Sequence, residues 1–493
     1  MKIKISDLMQ KSGVQFGTSG VRGPVTAMTD EICWTYTTGF LKYLEKQHHL
    51  NRGDIVGIAG DLRNSTDRIM RAVAAAISDL GFTPVNYGKI PSPAIALYGL
   101  HKTIPTIMVT GSHIPDDRNG IKFNKAEGEI LKADEQQIRD ALVEIPDARF
   151  NQDGRLIVDF DLPELNDEAR QHYINRFIDF FPNGCLAGRH IGLYEHSSVA
   201  RDCLKTILTE LGAKVTSLGR SDTFVSVDTE AIRPEDVELA AQWAKQNSFD
   251  CIISTDGDGD RPLVSDEKGN WLRGDVAGIL CAKYLGAEIV VTPVSSNTAV
   301  EKSEFFMEVI RTRIGSPYVI DAMNQAAGTG TVVGYEANGG FLQANEILVS
   351  GNTLSSLPTR DATIVPLCIL MLAQQEQTTI SGLLKQLPKR FTASDRLKDF
   401  PSELSHSILN KLITGDSRKD QDAIASLFSQ IAGQPASVDA TDGVRITFDN
   451  NDIIHLRPSG NAPELRCYNE AETEERAQQL NRACIKLMEQ WRH

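Results

Sequence analysis

Short apolar runs alternate with longer amphipathic segments along most of the chain. The first such unit begins with the apolar run 55–59, followed by a predicted helix over 65–80 that ends at Gly81. Further apolar strands follow near Val85 and over 106–110. Apolar strands separated by amphipathic helices are typical of a parallel sheet that is covered on both faces. The pattern therefore predicts an α/β fold.

Two later segments repeat this order. The second has an apolar strand at 190–194 and a helix over about 198–211, and the third has a strand at 289–292 and a helix over 298–306. The first two helices both end in a Leu-Gly pair. Three similar units in tandem suggest duplication.

The last hundred or so residues have a different pattern. Two apolar runs, 444–448 and 453–456, flank a polar turn and predict a β-hairpin. A helix over about 471–491 follows, so this part is expected to be an α+β module. The segment 388–390 is the candidate linker that precedes it.

Length and charge narrow the class of protein. The chain has 493 residues, which at about 150 residues per domain suggests roughly three domains. Its formal net charge is -14, which argues against nucleic acid as the main partner, because polyanion binders usually have a basic surface. A local cluster of Arg and Lys can still bind an anionic substrate.

The cysteines and the N-terminus indicate a cytoplasmic protein. The eight cysteines include no CxxC pair and are interpreted as reduced thiols in the core. The first ten residues lack the apolar segment of a signal peptide. Nowhere does an apolar stretch reach the ~18 residues that span a bilayer, so no membrane partner is expected.

A serine follows one of the predicted strands. The strand 106–110 leads into Gly111, Ser112 and His113, and functional residues of α/β sheets lie in loops past the carboxyl ends of strands. A serine-hydrolase elbow needs glycine two positions either side of the serine, where this chain has Thr110 and Ile114. Local context leaves an ordinary turn serine as the alternative.

Three aspartates alternate with glycines after the apolar strand 251–254: Asp256, Asp258 and Asp260. Carboxylates this close repel each other unless a hard cation joins them, and oxygen ligands favour Mg²⁺ or Ca²⁺. An EF-hand needs glycine at loop position six, where Arg261 stands, although Glu267 matches position twelve. A solvated turn is the remaining alternative.

Two further polar loops are weaker signals alone. The run 457–463 contains Arg457, Ser459, Gly460 and Asn461, which can form a phosphate cradle from a guanidinium, a hydroxyl and loop N–H groups. The run 334–340 contains Glu336 in a Gly-rich loop. Each is most simply explained as a turn.

Together, the order and spacing of these motifs resemble the α-D-phosphohexomutase family over nearly the whole chain. The resemblance rests on six segments: Gly17–Gly23, Thr110–Pro115, Asn119–Phe123, Asp256–Arg261, Gly334–Gly340 and Arg457–Pro463. It implies a heart-shaped protein around a central cleft. Three tandem related α/β domains with mixed sheets and a smaller C-terminal α+β domain are expected at 1–155, 156–270, 271–387 and 388–493.

The resemblance also implies roles. Ser112 is expected to carry the transferred phosphoryl group, and together with Asp256, Asp258 and Asp260 to hold one Mg²⁺ per chain, with Arg261 in support. Arg22 is expected to pair with the phosphoserine. His113 or Lys122 is expected to transfer protons, and for this role Lys122 needs a pKa that cationic neighbours lower. Glu336 and Asn338 are expected to recognise the sugar, and Arg457, Ser459, Gly460 and Asn461 the non-reacting phosphate.

The implied reaction interconverts hexose 1-phosphate and hexose 6-phosphate through a hexose 1,6-bisphosphate, which is also the expected activator. Members that act on mannose and glucose commonly have Glu-x-Ser-Gly-His in the sugar loop, whereas Asn338 and Gly340 stand here for Ser and His. Phosphomannomutase is the leading prediction, then phosphoglucomutase and phosphoglucosamine mutase. A catalytically silent sugar-phosphate-binding protein and a phosphohydrolase stay open, as does the choice between a monomer and a small homo-oligomer.

Overall fold

A computed structural model describes residues 1–17, 19–459 and 463–492. The first domain is built around one mixed sheet and its covering helices. Its elements are β1 Lys2–Lys4, α1 Ile5–Ser12, β2 Gln15–Phe16, β3 Val21–Pro24, α2 Asp30–Lys46, β4 Ile55–Gly60, α3 Thr66–Asp79, β5 Thr83–Lys89, α4 Ser92–Lys102, β6 Thr106–Val109, β7 Arg118–Lys125, β8 Gly128–Glu129, α5 Lys132–Arg139 and β9 Leu142–Glu144. The sheet has the order β2-β3-β7-β6-β4-β5, with β8 paired to β7.

The second domain contains a four-stranded sheet of order β11-β10-β12-β13. Its elements are α6 Glu168–Phe180, β10 His190–Tyr194, α7 Arg201–Glu210, β11 Lys214–Leu218, α8 Pro234–Gln246, β12 Cys251–Thr255 and β13 Pro262–Val264. Strands β10, β11 and β12 are parallel, and β13 is antiparallel to β12.

The third domain has the sheet order β15-β14-β16-β17 and a separate hairpin, β18-β19. Its elements are α9 Gly274–Tyr284, β14 Ile289–Pro293, α10 Ala299–Lys302, β15 Glu308–Thr312, α11 Ser316–Ala326, β16 Val332–Tyr335, β17 Phe341–Gln343, β18 Ile347–Val349, β19 Asn352–Leu354, α12 Ile364–Gln375 and α13 Ile380–Leu384.

The fourth domain is a five-stranded antiparallel sheet of order β20-β24-β23-β22-β21, with helices against one face. Its elements are β20 Phe391–Leu397, α14 Ser402–Asn410, α15 Ser417–Ala432, β21 Pro435–Asp439, β22 Val444–Phe448, β23 Ile453–Pro458, β24 Leu465–Ala471 and α16 Glu474–Gln490. The predicted hairpin and terminal helix are both present.

The three α/β domains repeat one strand arrangement. The orders β5-β4-β6-β7, β11-β10-β12-β13 and β15-β14-β16-β17 each contain three parallel strands followed by one antiparallel strand. The prediction of three related units with mixed sheets is therefore confirmed. The antiparallel fourth strand is what makes each sheet mixed.

One predicted helix is much shorter than expected. In place of a helix over 298–306, α10 ends at Lys302. The Ser303 hydroxyl donates to the Val300 carbonyl at 2.8 Å, and Glu304 adopts a left-handed conformation with φ of 56°. These local features end the helix.

Apolar packing joins the first three domains and leaves the fourth separate. One continuous buried cluster contains residues of all three α/β domains, whereas the fourth domain has a core of its own. Polar contacts link the third and fourth domains, such as the Thr298 N–H to Glu470 Oε2 at 3.1 Å. Within the described part of the chain, none of the helices is both long and apolar enough to cross a membrane.

Candidate active site

The candidate residues of the α/β domains come from equivalent positions in the three repeated sheets. Ser112 follows β6, the aspartate loop follows β12, and Glu336 follows β16, each between the third parallel strand and its antiparallel neighbour. Carboxyl ends of parallel strands are where α/β sheets bind ligands. The fold therefore brings three separate loops to one site.

Ser112 is buried and directly contacts the aspartate loop. Its Oγ donates to Asp256 Oδ2 at 2.6 Å and lies 3.4 Å from His113 Nδ1. Its backbone is left-handed, with φ of 56°, an unusual conformation for a residue other than glycine. Such strain costs about 1–3 kcal/mol and persists only where the surroundings impose it.

The Arg63 guanidinium supplies that constraint. It donates to the carbonyl oxygens of Ser112 at 2.8 Å, Ile114 at 2.5 Å, Pro115 at 2.8 Å and Arg118 at 3.0 Å. Asp61 fixes the guanidinium through a contact of 3.1 Å between Oδ2 and Nε. Arg63 therefore holds the serine loop in its strained path.

We expect Arg63→Lys to destabilise the first domain by about 3 kcal/mol, because a lysine cannot satisfy four carbonyl groups and buried acceptors are left unpaired. Thermal unfolding measures this as a lower midpoint. Arg71→Lys, on the exposed face of α3, is the matched control and should leave the midpoint unchanged. Equal midpoints for both variants would contradict the role given to Arg63.

The three aspartates form a buried carboxylate cluster. Asp256, Asp258 and Asp260 each offer an oxygen within 4.8 Å of the others. The Oδ1 atoms of Asp258 and Asp260 are buried and have no hydrogen-bond partner among the described residues. Buried carboxylates that bring oxygens this close together, two of them with an oxygen outside any hydrogen bond, fit the ligand set of a hard divalent cation.

Burial and the neighbouring charges shift the pKa values of Asp256 and Asp260 in opposite directions. Burial and the charges of Asp258 and Asp260 raise the pKa of Asp256 well above its ordinary value. Burial acts on Asp260 in the same sense, but Arg360 and Lys122 outweigh it and hold the pKa of Asp260 below its ordinary value. The aspartates thus differ although they occupy one loop.

Lys122 lies against the aspartate loop, and its pKa is shifted in the direction opposite to the one expected from the sequence. Its Nζ donates to Asp258 Oδ2 and to Asp260 Oδ2, both at 2.6 Å. Burial acts to lower the pKa of Lys122, but the two carboxylates outweigh burial and raise it. The expected lowering by cationic neighbours is therefore wrong, because the nearest charges are negative.

His113 lies beside Ser112, Arg261 contacts His113, and Arg22 lies close enough to Arg261 and Arg360 for their charges to affect its pKa. Arg261 Nη1 lies 2.9 Å from His113 Nδ1, and burial together with the Arg261 charge holds the pKa of His113 well below its ordinary value. Burial lowers the pKa of Arg22 to about 10, and the Arg261 and Arg360 charges add to this effect. The Arg22 guanidinium forms no hydrogen bond or ion pair with other residues among 1–17, 19–459 and 463–492.

The loop 334–340 joins this cluster through Arg360. Arg360 Nη1 donates to Glu336 Oε2 at 3.1 Å, and Arg360 Nε donates to Asp260 Oδ2 at 3.1 Å. The uncharged Asn338 side chain bonds within the loop instead, where its Oδ1 accepts from the Gly340 N–H at 2.9 Å. Glu336 therefore contacts the aspartate loop indirectly, whereas Asn338 shapes the loop itself.

The fourth-domain residues lie at the end of β23. Arg457 forms an ion pair with Asp442, with 2.8 Å between Nε and Oδ2. The Ser459 N–H donates to the Glu464 carbonyl at 2.8 Å, and Ser459 is buried. Gly460 and Asn461 lie outside the described residues.

Sequence reasoning missed three polar residues of this region: Arg63, Ser92 and Arg360. Ser92 Oγ donates to Asp258 Oδ2 at 2.5 Å. Arg63 comes shortly after β4, so the strand-end rule that selected Ser112 applies to it equally. Arg360 and Asp361 are charged residues just before the apolar helix α12, and charged residues beside a buried helix are expected to have partners.

Models of all four domains of one family match the chain. The descriptions are phosphoglucomutase/phosphomannomutase alpha/beta/alpha domain I over residues 13–149, domain II over 172–269, domain III over 273–391 and the C-terminal domain over 411–487. The chain belongs to the phosphoglucomutase/phosphomannomutase family. The family resemblance stated from the motifs is thus confirmed.

Individual relatives cover nearly the whole chain. A phosphomannomutase of Salmonella muenchen is 45% identical over 472 residues, which are 96% of this chain and 95% of the relative. A phosphomannomutase of Sinorhizobium fredii is 42% identical, with 95% and 97% covered. The crystal structure of a family protein from Burkholderia thailandensis matches with a TM-score of 0.73 at 17% identity, covering 99% of this chain and 98% of that one. The last similarity concerns the fold alone.

Proposed function

We propose that this protein is an isomerase of the phosphomannomutase type, which converts mannose 1-phosphate and mannose 6-phosphate into each other. The observation that carries the reaction type is the 2.6 Å contact between Ser112 Oγ and Asp256 Oδ2. It joins a candidate phosphoryl carrier to a candidate metal site. The choice of sugar is supported by the 45% and 42% identity to the two phosphomannomutases.

Each half of the reaction exchanges one phosphorus–oxygen bond for another. The bond between phosphorus and Ser112 Oγ breaks as a sugar hydroxyl oxygen bonds to phosphorus, which gives hexose 1,6-bisphosphate. The sugar hydroxyl gives its proton to a neighbouring side chain, and Ser112 Oγ takes up one proton to become a hydroxyl again. The bisphosphate then reorients within the cleft, and its other phosphoryl group is transferred back to Ser112 Oγ. His113 is the proposed proton acceptor, because it lies beside the serine and its pKa is lowered. Lys122, whose pKa is raised by its aspartate partners, is the proposed proton donor.

Asp256, Asp258 and Asp260, with Ser112 once phosphorylated, are the proposed ligands of one Mg²⁺ ion, and Arg261 supports their loop. The close approach of the three buried carboxylates, and the absence of a hydrogen bond at the Oδ1 atoms of Asp258 and Asp260 among the described residues, support a hard cation. When bound, this ion supplies charge neutralisation and Lewis acidity for phosphoryl transfer. Arg22 is the proposed partner of the phosphoserine, because its guanidinium is uncommitted to other described residues.

The fourth domain is proposed to hold the non-reacting phosphate through Arg457, Ser459, Gly460 and Asn461. Its separate apolar core and its polar contacts to the third domain support movement relative to the other domains. Closure would exclude water, which otherwise hydrolyses a phosphoserine. Glu336 is the proposed acceptor of sugar hydroxyl hydrogen bonds, with Asn338 shaping its loop. Cytoplasmic location and oligomeric state stay predictions.

A panel of hexose 1-phosphates tests the proposal. With Mg²⁺ and a trace of hexose 1,6-bisphosphate, we expect kcat/KM to be highest for mannose 1-phosphate, then glucose 1-phosphate, and lowest for glucosamine 1-phosphate. A higher value for glucose would make the protein a phosphoglucomutase. Release of inorganic phosphate without isomerised sugar would identify a phosphohydrolase, and binding without turnover would identify a silent sugar-phosphate-binding protein.

A further inference from the structure

The Arg360 guanidinium connects three loops that are distant in sequence. Its Nε donates to Asp260, its Nη1 to Glu336 and its Nη2 to Ser19 Oγ, at 3.1, 3.1 and 3.2 Å. The residue is 2% exposed. All three guanidinium nitrogens are therefore occupied, and each bond ends on a different segment of the candidate active site.

Glu336 depends on this arginine. The Glu336 carboxylate is buried, and within the described part of the chain its ion-pair partner is Arg360. A buried carboxylate without a cationic partner is strongly destabilised. Bonding at Oε2 also fixes the side-chain rotation and so the direction in which Oε1 points.

Gly340 makes room for the arginine. A β-carbon at position 340 would lie 2.3 Å from Arg360 Cδ and 2.6 Å from Arg360 Cγ, closer than atoms in contact approach. The backbone of Gly340 is not in the left-handed region, so space and not conformation requires glycine here. Any larger residue at 340 would displace the Arg360 side chain from its three partners.

We propose that Gly340 and Arg360 act as one pair, in which Gly340 admits Arg360 and Arg360 positions Glu336 for sugar binding. This inference rests on the proposed function, because it assigns Glu336 to the sugar. Arg360 is a positioning residue, since it acts through Glu336 and Asp260. The Arg360 side chain occupies the space beside the sugar loop that a side chain at position 340 would otherwise fill.

The test is a double-mutant cycle on the full chain, with mannose 1-phosphate as substrate. We expect Arg360→Gln to lower kcat/KM by roughly 10–100-fold, mainly through a higher KM, because a displaced Glu336 weakens sugar binding. Gly340→Ala should cause a similar loss, and the double variant should be no worse than Arg360→Gln alone, since the added methyl group then has nothing to displace. Arg360→Lys should fall between Arg360→Gln and the wild type.

A matched control and a second measurement keep the test specific. Gly328→Ala, where a β-carbon meets no atom within 4 Å, should retain full activity. The phosphate carried on Ser112, measured by peptide mass, should stay at the wild-type level in the Gly340 and Arg360 variants. The proposed pairing of Gly340 and Arg360 would be contradicted if the losses of kcat/KM in the two single variants multiplied in the double variant. A wild-type KM in Arg360→Gln would also contradict it. A wild-type protein without turnover of any hexose phosphate would overturn the proposed function and this inference with it.

Discussion

Ser112→Ala is expected to lose turnover of hexose phosphates by roughly 10³-fold or more, while the protein stays folded. Without the hydroxyl, no phosphoryl group can be stored between the two half-reactions. The bonds that hold the loop are made by backbone atoms of residue 112 and by Arg63, and these remain. Steady-state kinetics with hexose 1,6-bisphosphate present, together with the thermal midpoint, measures both expectations.

Ser92→Ala provides the matched control. It also removes a buried hydroxyl that donates to the aspartate loop, at 2.5 Å from Asp258 Oδ2, but Ser92 is not the proposed phosphoryl carrier. Its activity should fall far less than that of Ser112→Ala. In the wild type, part of the population should show a mass increase on the peptide that contains Ser112. Full activity in Ser112→Ala, with no phosphate on the wild-type residue, would refute the phosphoserine mechanism.

The loops of the site were predictable because each signal is local in sequence. A strand that ends in a Gly-Ser-His turn, or in alternating Asp and Gly, can be identified within ten residues, and the strand-end rule then places each loop at the ligand-binding edge of its own sheet. The structure has Ser112 and Asp256 in contact although 144 residues separate them. The two loops follow equivalent strands, β6 and β12, of two repeated sheets, and this repetition brings them to the same site. The domain limits stay predictions.

The network that orients the site was not predictable, because it depends on tertiary neighbours. Arg360 and its partner Ser19 are 341 residues apart, and nothing near either residue indicates the contact. The same limit explains the wrong expectation for Lys122, whose pKa depends on whether its nearest neighbours are cations or carboxylates. Motifs identify the reacting groups, whereas the partners of Arg360 are found only in the folded protein.

The aspartate cluster should make both the stability and the activity of the protein respond to Mg²⁺. A ligand that binds only the folded state stabilises it in proportion to the logarithm of its concentration above Kd. We therefore expect the thermal midpoint of the wild type to rise with added Mg²⁺, and more than with the same concentration of a monovalent salt. Parallel titrations with Mn²⁺ and Ca²⁺ test which cation the site prefers.

Asp256→Asn should abolish this response and lower turnover by roughly 10²-fold or more, because a neutral amide replaces one of three carboxylate ligands. The fold should tolerate the change, since the Asn oxygen can still accept from the backbone N–H groups of Asp260 and Arg261, each now 3.2 Å from Asp256 Oδ1. Asp266→Asn is the matched control, because Asp266 is also buried and accepts from backbone N–H groups, at Lys268 and Asn270, but lies outside the cluster. It should keep the Mg²⁺-dependent rise in midpoint. A wild-type rise in Asp256→Asn would show that the ion binds elsewhere, and loss of the rise in both variants would mean that the response reports general destabilisation.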